Sequence, residues 1–220
     1  IQCCLVGSEM CIRDSAETVC LDEAGRKAQG ATLYVTLEPC SHSGKTGPCV
    51  ERIIESRVSR VVIGMKDPDR QVCGEGIKSL QNAGVDVVVG VLEDLVAEQL
   101  APYVHHRNTG RPYVILKIST TLDGKVAAPD GSSQWITGPE ARREGHKLRA
   151  YSDAICVGRG TVISDNPQLT VRDWSADDDI DKNLDPRRIV LGNVPAEAAI
   201  HPCYEFSGDL LELLDELGND

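Results

Sequence analysis

LYVTLEPCSHSGKTGPC, Leu33–Cys49, decides how the rest of this 220-residue sequence is read. Its opening LYVTL is aromatic, β-branched and leucine-rich, the composition of a buried strand over Leu33–Leu37. Pro39 lacks the N–H that a ladder needs, so the strand stops at Glu38-Pro39. A Ser-, Gly- and Lys-rich loop follows to Pro48, and Cys49 opens a helix that runs to about Ser56. Cys40 and Cys49 each stand where a loop or helix begins. A helix N-terminus favours the thiolate, and thiolates suit Zn²⁺. Spacing alone does not settle the matter, because C-x8-C is not a stringent metal pattern and simple burial of two cysteines explains it as well.

Reading outward, the pattern alternates helix and strand. Ala16–Gly30 carries Val19, Ala24 and Ala28 near helical spacing and closes on a glycine suited to a C-terminal cap. After the thiol segment come a β-branched strand at Arg60–Gly64, a helix in GEGIKSLQNAG (Gly74–Gly84) and a strand in VDVVVG (Val85–Gly90), the βαβ rhythm of an α/β sandwich. HHRNTGRP, His105–Pro112, breaks the periodicity and reads as a linker. Beyond it YVILKIS (Tyr113–Ser119) reads as a buried strand, TTLDGKVAA as a turn into another, and PEARREGHKLRAY as a helix opened by Thr137, Gly138 and Pro139. DAICVG and RRIVLG are strands, Asp173–Asp185 is an acidic surface loop, and a helix surrounds Asp209–Leu217.

Charge narrows the function classes. A formal net charge of -11 and a pI near 4.9 oppose a nucleic-acid or anionic-membrane surface, which needs clustered positive field. No apolar run reaches membrane-span length and no signal-peptide pattern opens the chain, so a cytoplasmic protein with a small-molecule substrate is expected. Nine cysteines in a reducing compartment point to metal binding or burial; Cys20, Cys73, Cys156 and Cys203 read as structural thiols. Cys4–Ser15, CLVGSEMCIRDS, resembles translated read-through of a sequencing-library adapter, and residues 1–15 are set aside as a non-native leader.

The Leu33–Cys49 segment closely resembles the strand, loop and helix of the riboflavin-pathway deaminase, whose Glu-Pro-Cys-Ser-His-x-Gly-x-Thr-x-Pro-Cys run carries two zinc ligands. The resemblance implies a cytidine-deaminase-like α/β/α domain over 16–107, with Cys40 and Cys49 as metal ligands and Glu17 as the proton shuttle. It also implies that His42 contacts substrate; Lys45 could approach a phosphate or be a solvated loop lysine. Where the family carries His-Ala-Glu, this chain has Ser15-Ala16-Glu17. The imidazole ligand is absent, and Ser15 is a poor replacement.

No G-x-G-x-x-G follows a strand, so a Rossmann dinucleotide site is not supported. Lys117–Lys125 (KISTTLDGK), Ser133–Thr137 (SQWIT) and Gly158–Arg172 (GRGTVISDNPQLTVR) instead resemble, in order, segments of the riboflavin-pathway reductase. That family's fold is like dihydrofolate reductase and takes NADPH without the fingerprint. The resemblance implies that Thr120, Trp135, Thr161 and Asp165 meet NADPH and that Ser133, Arg149, Leu169 and Arg172 hold a phosphoribosyl-pyrimidine substrate. Guanidinium forks suit a phosphate, and an indole gives a flat apolar wall. Asp123 reads as a turn residue.

The expectation is therefore an α/β chain with a zinc deaminase domain, its N-terminal part missing, and a dihydrofolate-reductase-like domain over 108–220, its C-terminal part missing. Together they imply hydrolytic deamination of 2,5-diamino-6-(5-phosphoribosylamino)pyrimidin-4-one, then NADPH-dependent reduction of the ribosyl group of 5-amino-6-(5-phosphoribosylamino)uracil. The competing reading is an inactive fragment that only binds metal or ligand. A nucleic-acid-editing deaminase is disfavoured by the acidic balance, and assembly into a homo-oligomer is left open.

Overall fold

The computed structural model describes residues 15–41, 47–70, 72–133, 135–172 and 185–219. These fall into two compact units, one running to Tyr113 and taking in the residues from Leu217, the other Val114–Glu216. Among the described residues no helix is long and apolar enough to cross a membrane.

The first unit is built on a parallel sheet in the order β1 (Thr32–Leu37), β2 (Arg60–Met65), β3 (Asp86–Val89). Parallel neighbours cannot be joined by a tight turn, and α2 (Cys49–Glu55) and α3 (Glu75–Asn82) supply the crossovers. Central β2 is buried along Val61–Gly64, the near-continuous apolar run of a strand covered on both faces. Leu21 from α1 (Ala16–Ala24), Leu33 and Val35 from β1, Val50 and Ile53 from α2, and Leu80 from α3 pack with Val61 and Ile63 into one core. The expected helix to Gly30 is shorter: α1 ends at Gly25 (φ 50°) and continues as a single 3-10 turn to Ala28.

β3 is followed by α4 (Glu93–Gln99) and α5 (Ala101–Thr109). The expected linker HHRNTGRP is thus helical through Thr109. Pro102 sits in the first turn, where its missing N–H costs nothing, and Gly110 (φ 72°) caps the end by donating to His106 O. Few apolar residues mark α5, because Tyr103 docks it through polar contacts: its hydroxyl donates to Asp67 at 2.9 Å, and Arg107 lies over its ring.

Burial pushes the Asp67 carboxyl above its ordinary range, against the lowering by the Asp69 amide and Tyr103 hydroxyl. The folded chain then holds a proton that the unfolded chain has released, so this group's contribution to stability falls as pH rises through the interval between the two values. Denaturant unfolding should show a shallower decline in Asp67→Asn than in the parent chain as pH rises above the ordinary aspartate range.

In the second unit, α6 (Pro139–Ala150) precedes a parallel sheet in the order β4 (Ala154–Gly158), β5 (Arg187–Leu191), β6 (Tyr204–Phe206), with α7 (Arg159–Asp165) after β4 and α8 (Leu210–Leu217) last. Val162, Leu169, Val190 and Ile200 form its small core. YVILKIS, expected as a buried strand, is not one. Val114, Ile115, Leu116 and Ile118 are 57–79% exposed, and the segment belongs to neither three-stranded sheet. Strand composition produces a strand only where a neighbour accepts its hydrogen bonds. TTLDGK is a turn, with Gly124 at φ 77° and its N–H donating to Thr121 O.

Candidate functional site

Two clusters gather the residues singled out above, one in each unit. In the first, β1 delivers Glu38, Pro39 and Cys40 to the mouth of α2, while Ser15 caps α1 by accepting from the Thr18 N–H at 3.3 Å. The Cys40 and Cys49 sulfurs lie 3.2 Å apart, and the Cys49 N–H, at the start of α2, points at Cys40 Sγ at 3.4 Å. Cys49 Sγ stands 3.1 Å from Ser15 Oγ and 3.7 Å from Glu17 Oε2. Four groups separated by up to 34 positions therefore converge, although Ser15 was expected to belong to a leader.

The donor set can be tested against zinc. Two sulfurs on a tetrahedral ion at about 2.3 Å each would stand about 3.8 Å apart, so the pair must open slightly. The third place is filled by a hydroxyl, a poor ligand beside an imidazole. Cys40 and Cys49 fit zinc; Ser15 fits it weakly. Without a cation the Cys49 thiol is pushed strongly upward, first by its bond with Cys40, then by burial and the Glu17 charge. A metal must displace that proton.

Glu38 is the residue that sequence reading missed. It is only 3% exposed and accepts four backbone N–H bonds, from Asp67 at 3.3 Å, Gly74 at 2.9 Å, Gly76 at 3.0 Å and Ile77 at 3.2 Å. Three of these donors belong to the cap and first turn of α3, where a carboxylate meets both the orphan N–H groups and the positive end of the helix dipole. Its neighbour in sequence is Pro39, and next comes Cys40, so this anchor fixes the thiol loop. His42 and Lys45 lie outside the described residues.

In the second cluster Arg149, at the end of α6, donates to Thr170 O, and its guanidinium stands 3.4 Å from His146 Nδ1. The Arg172 N–H meets the same His146 nitrogen at 3.0 Å, and its guanidinium donates to Gln168 Oε1 at 2.9 Å. Leu169, held at φ 55°, is buried beneath. Three of the four expected substrate residues thus come together. His146, three residues before Arg149, went unnoticed because only the fold reveals its link to Arg172. Arg149 Nε is buried and has no hydrogen-bond partner among the described residues. Burial, then the Arg172 charge, lowers the Arg149 pKa.

The expected cofactor residues are more dispersed. Thr161 and Asp165 share α7, exposed, and Thr120 lies on an exposed irregular segment, as does Ser133, the remaining expected substrate residue of this unit. No hydrogen bond among the described residues joins Thr120 or Ser133 to the arginine cluster. Trp135 is not a core residue: it is 71% exposed, with the Arg142 guanidinium 4.4 Å above its ring.

Comparison with known proteins matches a family to part of each unit. Residues 9–65 match the family described as cytidine and deoxycytidylate deaminase zinc-binding region, and residues 112–200 match the RibD C-terminal domain. The riboflavin biosynthesis protein RibD of Escherichia coli (strain K12) is 43% identical over 201 residues, 88% of this chain and 54% of that protein. The same-named protein of Aquifex aeolicus (strain VF5) is 49% identical over 157 residues, 71% of this chain and 44% of that protein. The solved structure of Acinetobacter baumannii RibD, form 1, superposes with a TM-score of 0.84 at 37% identity, covering 94% of this chain and 64% of that one. A Thermotoga maritima diaminohydroxyphosphoribosylaminopyrimidine deaminase/5-amino-6-(5-phosphoribosylamino)uracil reductase gives 0.80 at 35%, covering 94% and 65%. The chain spans about half the length of the curated relatives it matches.

Proposed function

From a chain that is a homologue of the riboflavin biosynthesis protein RibD over about half of that protein's length, we propose two chemistries, one for each unit. The first unit hydrolytically deaminates 2,5-diamino-6-(5-phosphoribosylamino)pyrimidin-4-one. The second reduces the ribosyl group of 5-amino-6-(5-phosphoribosylamino)uracil with NADPH. The observation that carries this reading is the convergence of Ser15, Glu17, Cys40 and Cys49 on one point.

Cys40 and Cys49 would hold zinc, which when bound would supply an acidified water. Glu17, whose carboxylate faces the thiol pair, would pass one proton from that water to the ring nitrogen and a second, from the hydroxyl added to the ring carbon, to the departing ammonia. His42 is assigned to substrate. In the second unit Arg149 and Arg172 clamp the ribose phosphate, with Leu169 and Ser133 beside the substrate. Trp135, Thr120, Thr161 and Asp165 are assigned to NADPH, the exposed indole offering its face to a ring. The substitution of Ser15 for the family's histidine favours a second reading for the first unit: weak metal retention and little turnover in this chain.

Ammonia release tests the deaminase assignment, measured in a Ser15→His background so that ligand loss does not mask the result. Glu17→Gln should lower the rate by about 10²-fold or more while zinc content stays constant; an unchanged rate would remove Glu17 from the mechanism. For the second unit, calorimetry with ribose 5-phosphate should show binding that Arg149→Met weakens by at least about 10-fold, the loss of one charged hydrogen-bonding partner. Equal affinity in the two chains would place the phosphate elsewhere.

A further inference from the structure

We propose that His201, Cys203 and Glu205 form a second zinc site, in the second unit and separate from the Cys40–Cys49 pair. Cys203 and Glu205 stand two positions apart across the start of the edge strand β6 and so share a side, and His201 joins them across the bend at Pro202. An imidazole nitrogen, the thiol sulfur and a carboxylate oxygen all lie within 4.8 Å of one another, and His201 Nδ1 is 3.5 Å from Cys203 Sγ. Zinc bonds of about 2.3 Å to sulfur and about 2.0–2.1 Å to nitrogen, at a tetrahedral angle, place those two donors about 3.5 Å apart. That pair needs no adjustment, and the Glu205 carboxylate, within 4.8 Å of both, would close on the ion.

The surroundings also orient the ligands. His201 Nε2 lies 3.0 Å from the Pro195 carbonyl, which can only accept, so in the neutral ring Nε2 carries the hydrogen. The lone pair is therefore on Nδ1, the nitrogen that faces the sulfur. Glu205 Oε2 accepts from the Val194 N–H at 3.1 Å. A carbonyl on the distal imidazole nitrogen and a donor on the carboxylate are the outer contacts by which proteins fix zinc ligands. Both come from Val194-Pro195, while Cys203 is held against the core of Val162, Val190 and Ile200. One imidazole, one thiolate and one carboxylate suit zinc better than magnesium or calcium, which take oxygen ligands. Three protein ligands leave a fourth position for water.

The test uses the whole chain carrying Cys40→Ser and Cys49→Ser, stripped with chelator and titrated with Co²⁺ and then Zn²⁺. One equivalent of Co²⁺ should bind with a thiolate-to-cobalt charge-transfer absorption that Zn²⁺ displaces. Adding Cys203→Ser should abolish the absorption. His201→Gln, which keeps the thiol, should weaken binding by more than about 100-fold, beyond the loss typical of an outer-contact mutation. Circular dichroism identifies any variant that misfolds, and His201→Gln then decides the matter alone. Absence of the absorption, its survival in Cys203→Ser, or unchanged affinity in His201→Gln would overturn the proposal.

Discussion

Ser15→His should raise zinc affinity by on the order of 10²-fold or more, with ammonia release rising alongside, because it completes a site whose other parts are already assembled. Ser15 Oγ stands 3.1 Å from Cys49 Sγ, and Cys40 and Glu17 close the same point. A neutral hydroxyl is a weak zinc donor, whereas an imidazole makes a full bond at about 2.0–2.1 Å. Losing an outer contact to a ligand already costs about 10–100-fold in affinity, so gaining a ligand should exceed that. The substitution also removes the cap on the Thr18 N–H, a loss of about 1 kcal/mol to α1. Metal-free melting temperature should therefore fall slightly while the zinc-bound value rises. Competition against a chromophoric chelator reads the affinity. Equal zinc affinity in the parent and Ser15→His chains would mean that position 15 does not reach the metal.

That expectation was half legible in the sequence. The thiol segment and its helix are local features, and Cys40, Cys49 and Glu17 could be placed from motif alone. The resemblance also put Ser15 at the histidine's place, and what the fold adds is its 3.1 Å approach to Cys49 Sγ across 34 positions. Similar limits explain the two misread segments. His105–Thr109 lacks an apolar stripe, so it looks like a loop, yet Tyr103 and Arg107 hold α5 by polar contacts that periodicity does not register. YVILKIS has every local property of a strand, but pairing is a property of neighbours, and neither sheet pairs with it. In the second unit the family resemblance named Arg149, Leu169 and Arg172, and the fold brings the two arginines together around His146. His146 could not be found that way, because its importance lies in a contact with the Arg172 backbone.

Glu38→Ala should be the most destabilising single change in the first unit, costing about 3–5 kcal/mol. Glu38 ends a strand and precedes a proline, so sequence reading treats it as a boundary. Its carboxylate is buried, and removing it leaves the N–H groups of Asp67, Gly74, Gly76 and Ile77 without their acceptor. Each stranded donor costs about 1–3 kcal/mol, and the four are not additive because α3 can fray to reach water. Glu38→Gln keeps one acceptor oxygen but loses the charge opposite the helix dipole, so it should cost less, about 1–3 kcal/mol. Gly76→Ala approaches the same joint from the other side: its Cβ would stand 2.1 Å from Pro39 O, which neither backbone segment can relieve without moving. Denaturant unfolding ranks the three. Because Pro39 leads directly into Cys40, zinc affinity measured in the Ser15→His background should fall in Glu38→Ala and Gly76→Ala even where the chain stays folded. Full stability in Glu38→Ala would show that α3 does not depend on this carboxylate, and unchanged zinc affinity would show that the thiol loop is held from elsewhere.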